Sequence, residues 1–75
     1  MPPLPRVSGR DAARVFSTLG YEIVRQRGSH MRLRVESGTR PPLTIPEHKE
    51  LKSGLLRRLI RDAGMTVDEF ITTLG

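Results

Sequence analysis

The sequence predicts one small α+β domain, in which a three-stranded antiparallel sheet is covered by helices on one face. Apolar residues recur at helical spacing near both ends of the chain, and apolar and polar residues alternate in its middle, where glycine-containing turns separate the runs. The predicted order is α-β-β-β-α with a short extra helix at the C-terminal end. The chain has 75 residues, and a chain of this length buries only roughly 60% of its extended surface. We therefore expect a single domain over residues 1–75, with its core at about 4–74.

The first predicted helix follows Ser8. Ser8 and Asp11 have the spacing of a capping box, in which each side chain accepts a hydrogen bond from the backbone N–H of the other residue. The apolar residues that follow at helical spacing are Ala12, Val15, Phe16 and Leu19. Gly20 is placed to end the helix in the left-handed conformation. The pattern predicts a helix from Gly9 to Leu19.

A first strand and a tight turn are predicted next. Residues 21–26 (YEIVRQ) favour a pleated, half-buried surface, and Gly28 and Ser29 then supply the turn of a hairpin. Ile23 and Val24 are adjacent and both apolar, so this strand does not alternate cleanly between its two faces.

The second strand alternates without interruption. Met31, Leu33 and Val35 occupy one face, and the other face receives His30, Arg32 and Arg34. Because the apolar set must face the helices, the polar set is expected side by side on the open face. A short third strand, PLTIP, presents Leu43 and Ile45 to one side.

Two helices complete the prediction. The first has Ser53 as candidate N-cap and Gly64 as its stop, and its apolar stripe comprises Leu55, Leu56, Leu59, Ile60 and Ala63. The second begins with a capping box of Thr66 and Glu69, and its stripe comprises Val67, Phe70, Ile71 and Leu74.

Positive charge is concentrated in the predicted hairpin. Thirteen Lys and Arg residues against eight Asp and Glu give a net charge of +5, and eleven of the thirteen are arginine. Residues 25–40 contain five arginines and one acidic residue, Glu36. Arginine has the planar fork that suits phosphate, so this distribution favours a nucleic-acid partner. The alternative is that the charge only keeps a small protein soluble.

Several function classes are disfavoured by composition. The chain has no cysteine, which excludes disulfides and thiolate zinc sites and fits a reducing cytoplasm. Its two histidines make a poor metal site, so neither a metal ion nor another cofactor is expected. No segment has the length of a membrane span or the apolar centre of a signal peptide, and we expect a soluble, cytoplasmic protein.

His30 suits general acid–base chemistry. Histidine has an unperturbed pKa of about 6.5, so both of its protonation states exist near neutral pH. On RNA, His30 would take the proton of a 2′-hydroxyl while Arg32 and Arg34 hold the phosphate and stabilise its developing charge. Such a reaction needs no metal ion. The alternative is that His30 is one more polar residue on a solvated strand.

Two further residues have both a functional and a plain interpretation. His48 is a candidate for the complementary acid if the segment after the third strand folds back near His30, and it is otherwise a loop residue without a role. Lys52 lies where a helix begins, and backbone N–H groups there can bind phosphate, although a plain N-cap explains the same residues. The three aromatic residues are too few and too core-like to stack on bases.

The segments LPRVSGRD, LGYEIVRQRGSHMRL, TIPEHKELKSGLLRRLIRDAGM and DEF together resemble the HicA (YcfA-like) family of toxin–antitoxin ribonucleases, over about Leu4 to Leu74. The resemblance implies a double-stranded-RNA-binding-domain-like fold. It also implies an mRNA interferase that cleaves RNA and arrests translation, and a HicB antitoxin that neutralises it. Such an antitoxin is expected to cover the His30 face.

The resemblance also implies roles for individual residues. His30 matches the catalytic histidine of the family's GSH motif, and Gly28 and Ser29 match the turn that presents it. His48 matches the second recurrent histidine, and Leu55 stands where family members commonly have threonine. Two rival functions use the same basic face: a non-catalytic RNA-binding module, and a protein whose cationic surface docks an acidic partner.

Overall fold

The computed structural model describes residues 3–75 and contains the predicted elements in the predicted order. They are α1 (Gly9–Ser17), β1 (Tyr21–Arg27), β2 (His30–Val35), β3 (Leu43–Pro46), α2 (Ser53–Ala63) and α3 (Val67–Leu74). The strands form one antiparallel sheet in the order β1-β2-β3. The α+β prediction, with an extra C-terminal helix, is confirmed.

One apolar core lies between the sheet and the helices. The strands contribute the buried side chains Met31, Leu33, Leu43 and Ile45, which share a single cluster with the buried residues of all three helices. The three aromatic rings meet inside it, because Phe16 lies 6.2 Å from Tyr21 and 5.6 Å from Phe70 between ring centroids. All three rings are buried, so none is free to stack on a base at the surface.

Helix α1 begins as predicted and ends earlier. The capping box is present, with the Asp11 N–H donating to the Ser8 hydroxyl over 3.0 Å. The predicted end at Leu19 is wrong by two residues, since α1 ends at Ser17. The N–H groups of Leu19 and Gly20 donate to carbonyls three residues back, at 2.9 and 3.0 Å. This tighter turn ends the α-helical pattern before the apolar stripe does.

Helix α2 also differs at its start. Its N-cap is Lys52, without a side-chain cap, so the predicted N-cap at Ser53 is wrong. The Leu56 N–H donates to the Lys52 carbonyl over 3.0 Å, which closes the first turn one residue earlier than the serine pattern predicted. Gly64 ends α2 in the left-handed conformation (φ 83°), as expected. Within residues 3–75, no helix has the length and apolar character needed to cross a membrane.

The start of α1 is in close backbone contact with the end of β3. The Gly9 N–H donates to the His48 carbonyl over 2.9 Å. A Cβ atom at Gly9 would stand 2.0 Å from the carbonyl oxygen of Pro46, so only glycine permits this approach. The contact fixes the segment after β3, which in turn reaches the hairpin turn.

A β-bulge resolves the uneven alternation of β1. Ile23 pairs with Leu33 and Arg25 pairs with Arg32, so Val24 is an extra residue in β1. Ile23 lies opposite a core residue, whereas the two arginines beyond the bulge lie opposite residues of the open face. Both apolar residues at the bulge are exposed, at 42% for Ile23 and 53% for Val24.

Candidate nucleic-acid interface

The open face is the side of the sheet that the helices leave uncovered. Its residues follow from the strand register, since partners in an antiparallel pair point to the same side. They are Glu22, Arg25 and Arg27 from β1, His30, Arg32 and Arg34 from β2, and Thr44 and Pro46 from β3. Sequence alternation placed the three β2 residues here correctly.

A two-residue turn presents His30 at one end of this face. Gly28 and Ser29 connect β1 to β2, so that Arg27 and His30 are directly opposite partners. Gly28 has φ 55°, and none of the described non-glycine residues has a positive φ. Positive φ at the first turn residue alone is typical of a type II′ turn, which requires glycine there. The predicted hairpin and its glycine are confirmed.

Hydrogen bonds of Glu47 hold the turn in place. The Glu47 N–H donates to the Ser29 carbonyl over 2.5 Å, and its carboxylate accepts from the Gln26 amide over 2.6 Å and from the Arg10 guanidinium. These hydrogen bonds from Arg10 and Gln26 hold the pKa of the Glu47 carboxyl below its ordinary value of 4.5. The Glu47 side chain thus links α1 and β1 to the segment after β3, next to the turn.

His30 is exposed and borders a shallow depression of about 250 Å³. The other lining residues are Arg25, Arg27, Arg32 and Thr44. Among the residues that the structure describes, the His30 imidazole has neither a hydrogen-bond partner nor an ion pair. Both ring nitrogens are therefore accessible to a ligand, which is what a residue that exchanges a proton with a substrate needs.

The arginines of the open face have no acidic partner within 4.0 Å in the described part of the chain. Arg32 is the most constrained of them, because its guanidinium donates to the Thr44 hydroxyl over 2.7 Å. Arg34 lies at the other end of β2 and pairs across the strands with Glu22. The open face is therefore most strongly cationic around His30.

His48 and Lys52 lie outside the depression that His30 borders. The segment after β3 does fold back to the turn, through Glu47 and Ser29, but the next residue, His48, is held by its carbonyl at the start of α1. Lys52 is exposed at the start of α2. No group of three or more His, Cys, Asp or Glu residues suited to a metal ion occurs within residues 3–75.

Three residues of the depression were not assigned from the sequence. The sequence leaves Arg25 and Arg27 as either phosphate contacts or plain solvated charge, and it predicts no role for Thr44. A signal for Arg27 was present, because a two-residue turn fixes the flanking residues as an opposite pair. Arg25 depended on the bulge at Val24, which alternation alone did not locate.

Fold and site together define a small α+β domain with a cationic sheet face and an exposed histidine beside a hairpin turn. A family model described as HicA toxin of bacterial toxin-antitoxin matches residues 9–65 of the 75-residue chain, which is more than half of its length. The chain therefore belongs to the HicA toxin family of bacterial toxin–antitoxin systems, and this family implies an antitoxin partner. No curated protein matches the chain. The matched range includes every residue of the open face.

Proposed function

We propose that this protein is a cytoplasmic endoribonuclease toxin, an mRNA interferase that arrests translation and growth as a stress response, with His30 as its general base. The observation that carries the proposal is the position of His30. It is exposed at a hairpin turn, on a face whose arginines have no acidic partner within 4.0 Å among residues 3–75. Membership of the HicA toxin family supports a toxic activity.

The chemistry follows from what the depression offers to RNA. A neutral His30 imidazole takes the proton of a 2′-hydroxyl, and the 2′-oxygen attacks the adjacent phosphorus. The bond from phosphorus to the 5′-oxygen breaks, the 5′-oxygen takes a proton from water, and a 2′,3′-cyclic phosphate remains. Arginine guanidinium groups stabilise the charge that builds on the phosphate oxygens, so the scheme requires no metal ion.

The remaining residues of the site have supporting roles. Gly28 and Ser29 form the turn that presents His30, and Arg32 and Arg34 bind RNA phosphates on the open face. His48 has no step in this scheme, because its backbone is held at the start of α1, outside the depression.

A purified sample tests the activity directly. The wild-type protein is incubated with RNA in the presence of EDTA, and cleavage is expected. An RNA with a single 2′-deoxy substitution at the mapped cleavage position is expected to resist cleavage there. Tight RNA binding without any cleavage by the folded wild-type protein would instead support the non-catalytic RNA-binding module.

We further propose that a HicB-like antitoxin covers the open face around His30. Covering this surface excludes RNA, and an acidic antitoxin surface would complement the arginines, which have no acidic partner in the described part of this chain. Carbethoxylation of His30 by diethylpyrocarbonate is expected to be fast in the free toxin and slow in the complex. His48, which is exposed elsewhere, provides the internal control for reagent access. Equal modification of His30 in both samples contradicts the proposal.

A further inference from the structure

We propose that Arg27 is the principal cation at the phosphate of the bond that is cleaved. This inference rests on the proposed ribonuclease function, with His30 as the base. Arg25 and Arg32 then bind a neighbouring phosphate, so that the RNA backbone follows the seam between β1 and β2. Arg34, which the sequence placed beside His30, binds farther from the reaction.

The strand register ranks the arginines by their distance from His30. Arg27 is the direct cross-strand partner of His30, and such partners have Cβ atoms about 5 Å apart. Arg34 is four residues along β2, which is about 13 Å at the rise of a strand. The guanidinium group of Arg27 can therefore contact a phosphate that also contacts His30. The Arg34 guanidinium is at the limit of the distance from which it could do so.

The like charges that face each other across β1 and β2 point to the same group. Elsewhere in residues 3–75, some exposed arginines contact a carboxylate, as Arg10 does, and others, such as Arg58, do not. Around His30, Arg25 pairs across the strands with Arg32. Like charges directly opposite each other destabilise a sheet. A phosphate bound between the two guanidinium groups would attract both of them and so offset their mutual repulsion. The arrangement therefore fits a surface that binds an anion.

The bulge at Val24 is what allows this arrangement in β1. Without the extra residue, strict alternation from Arg27 and Arg25 would place Ile23 and Tyr21 on the open face as well. With it, Tyr21 remains buried in the core while both arginines stay on the open face. β-Bulges commonly change the direction of side chains beside active sites. Here the bulge lets one strand contribute both to the core and to the cationic face.

Single-turnover cleavage at saturating RNA tests the ranking. Arg27→Ala is expected to lower the cleavage rate about 100-fold, the usual effect of removing one group that stabilises transition-state charge. Arg27→Lys should recover part of the rate, because it restores the charge without the fork. Arg34→Ala is expected to lower the rate less than about tenfold. Arg58→Ala, which removes an exposed arginine from α2, is the matched control and should leave the rate unchanged.

The outcomes separate this inference from the proposed function. A wild-type rate for Arg27→Ala, or equal losses for Arg27→Ala and Arg34→Ala, overturns the role of Arg27 while leaving His30 as the base. Full activity of His30→Ala overturns the proposed function itself. Thermal unfolding serves as the folding control: Arg27→Ala should be at least as stable as the wild type, because it removes an unpartnered charge and no described hydrogen bond.

Discussion

The backbone N–H of Glu47 donates to the carbonyl of Ser29 over 2.5 Å, which ties the segment after β3 to the turn before His30. Two features thus fix the turn: the backbone conformation of Gly28, and the hydrogen bond from Glu47, which is distant in sequence. We expect the position of His30, and with it the activity, to depend on both.

Replacing Gly28 by alanine should strain the turn. The space around Gly28 is open to a Cβ atom, so the cost arises only from the positive φ of 55°. We expect a loss of about 1–3 kcal/mol in the free energy of unfolding, with slower RNA cleavage because His30 is displaced. Denaturant titration measures the first effect. Gly54→Ala, which also meets no neighbour and has no positive φ, is the control. Equal stability of the Gly28→Ala protein and the wild type would contradict the turn geometry.

Replacing Glu47 by glutamine should destabilise the protein in a pH-dependent way. The folded-state pKa of Glu47 is held below 4.5 by Arg10 and Gln26, so its stabilisation is fully present above pH 4.5 and is lost as pH falls through the folded-state pKa. The wild type should therefore be the more stable protein at neutral pH, and the difference should become smaller at an acidic pH below 4.5. Urea titrations at the two pH values measure it.

The matched control for this experiment is Glu50→Gln. Glu50 lies 4.0 Å from Arg6 in an exposed pair, and such pairs contribute little to stability. Its stability difference from the wild type should be small at both pH values. A Glu47→Gln protein that behaves in the same way would contradict the anchoring role of Glu47.

Arg32→Ala and Arg34→Ala should weaken RNA binding through phosphate contacts. Each lost contact is expected to reduce the slope of log K against log salt concentration by about 0.7 on single-stranded RNA. Binding titrations across a range of salt concentrations measure this slope, with Arg58→Ala as the charge-matched control. A slope that stays at the wild-type value for either variant removes that arginine from the RNA contacts.

Strand β2 shows how much of the site could be predicted from the sequence. Its strict alternation separates Met31 and Leu33 from His30 and Arg34, and the structure confirms both faces. Alternation is reliable here because one face must be buried, and a shift of one residue would expose the whole apolar set. The capping boxes at Ser8 and Thr66 were equally predictable, since they depend on residues only three apart.

Features that depend on distant contacts could not be predicted in this way. The bulge at Val24 reflects a competition between the core and the open face, which the local pattern of β1 does not decide. The anchoring of Glu47 to Arg10 and Gln26 joins three separated segments. His48 was placed near His30 only on the condition that its segment folds back. The segment does reach the turn through Glu47, but His48 lies outside the depression, and its carbonyl accepts a hydrogen bond from Gly9 at the start of α1.

The central claim is that His30 is the base for RNA cleavage, and the single-turnover cleavage rate of His30→Ala tests it most directly. His30 is exposed and has no hydrogen-bond partner within residues 3–75, so the variant should unfold at the wild-type temperature. With folding intact, the cleavage rate should fall by a factor of about 10² to 10⁴, and expression of the variant should no longer arrest growth. A well-folded His30→Ala protein that cleaves RNA at the wild-type rate would contradict the claim.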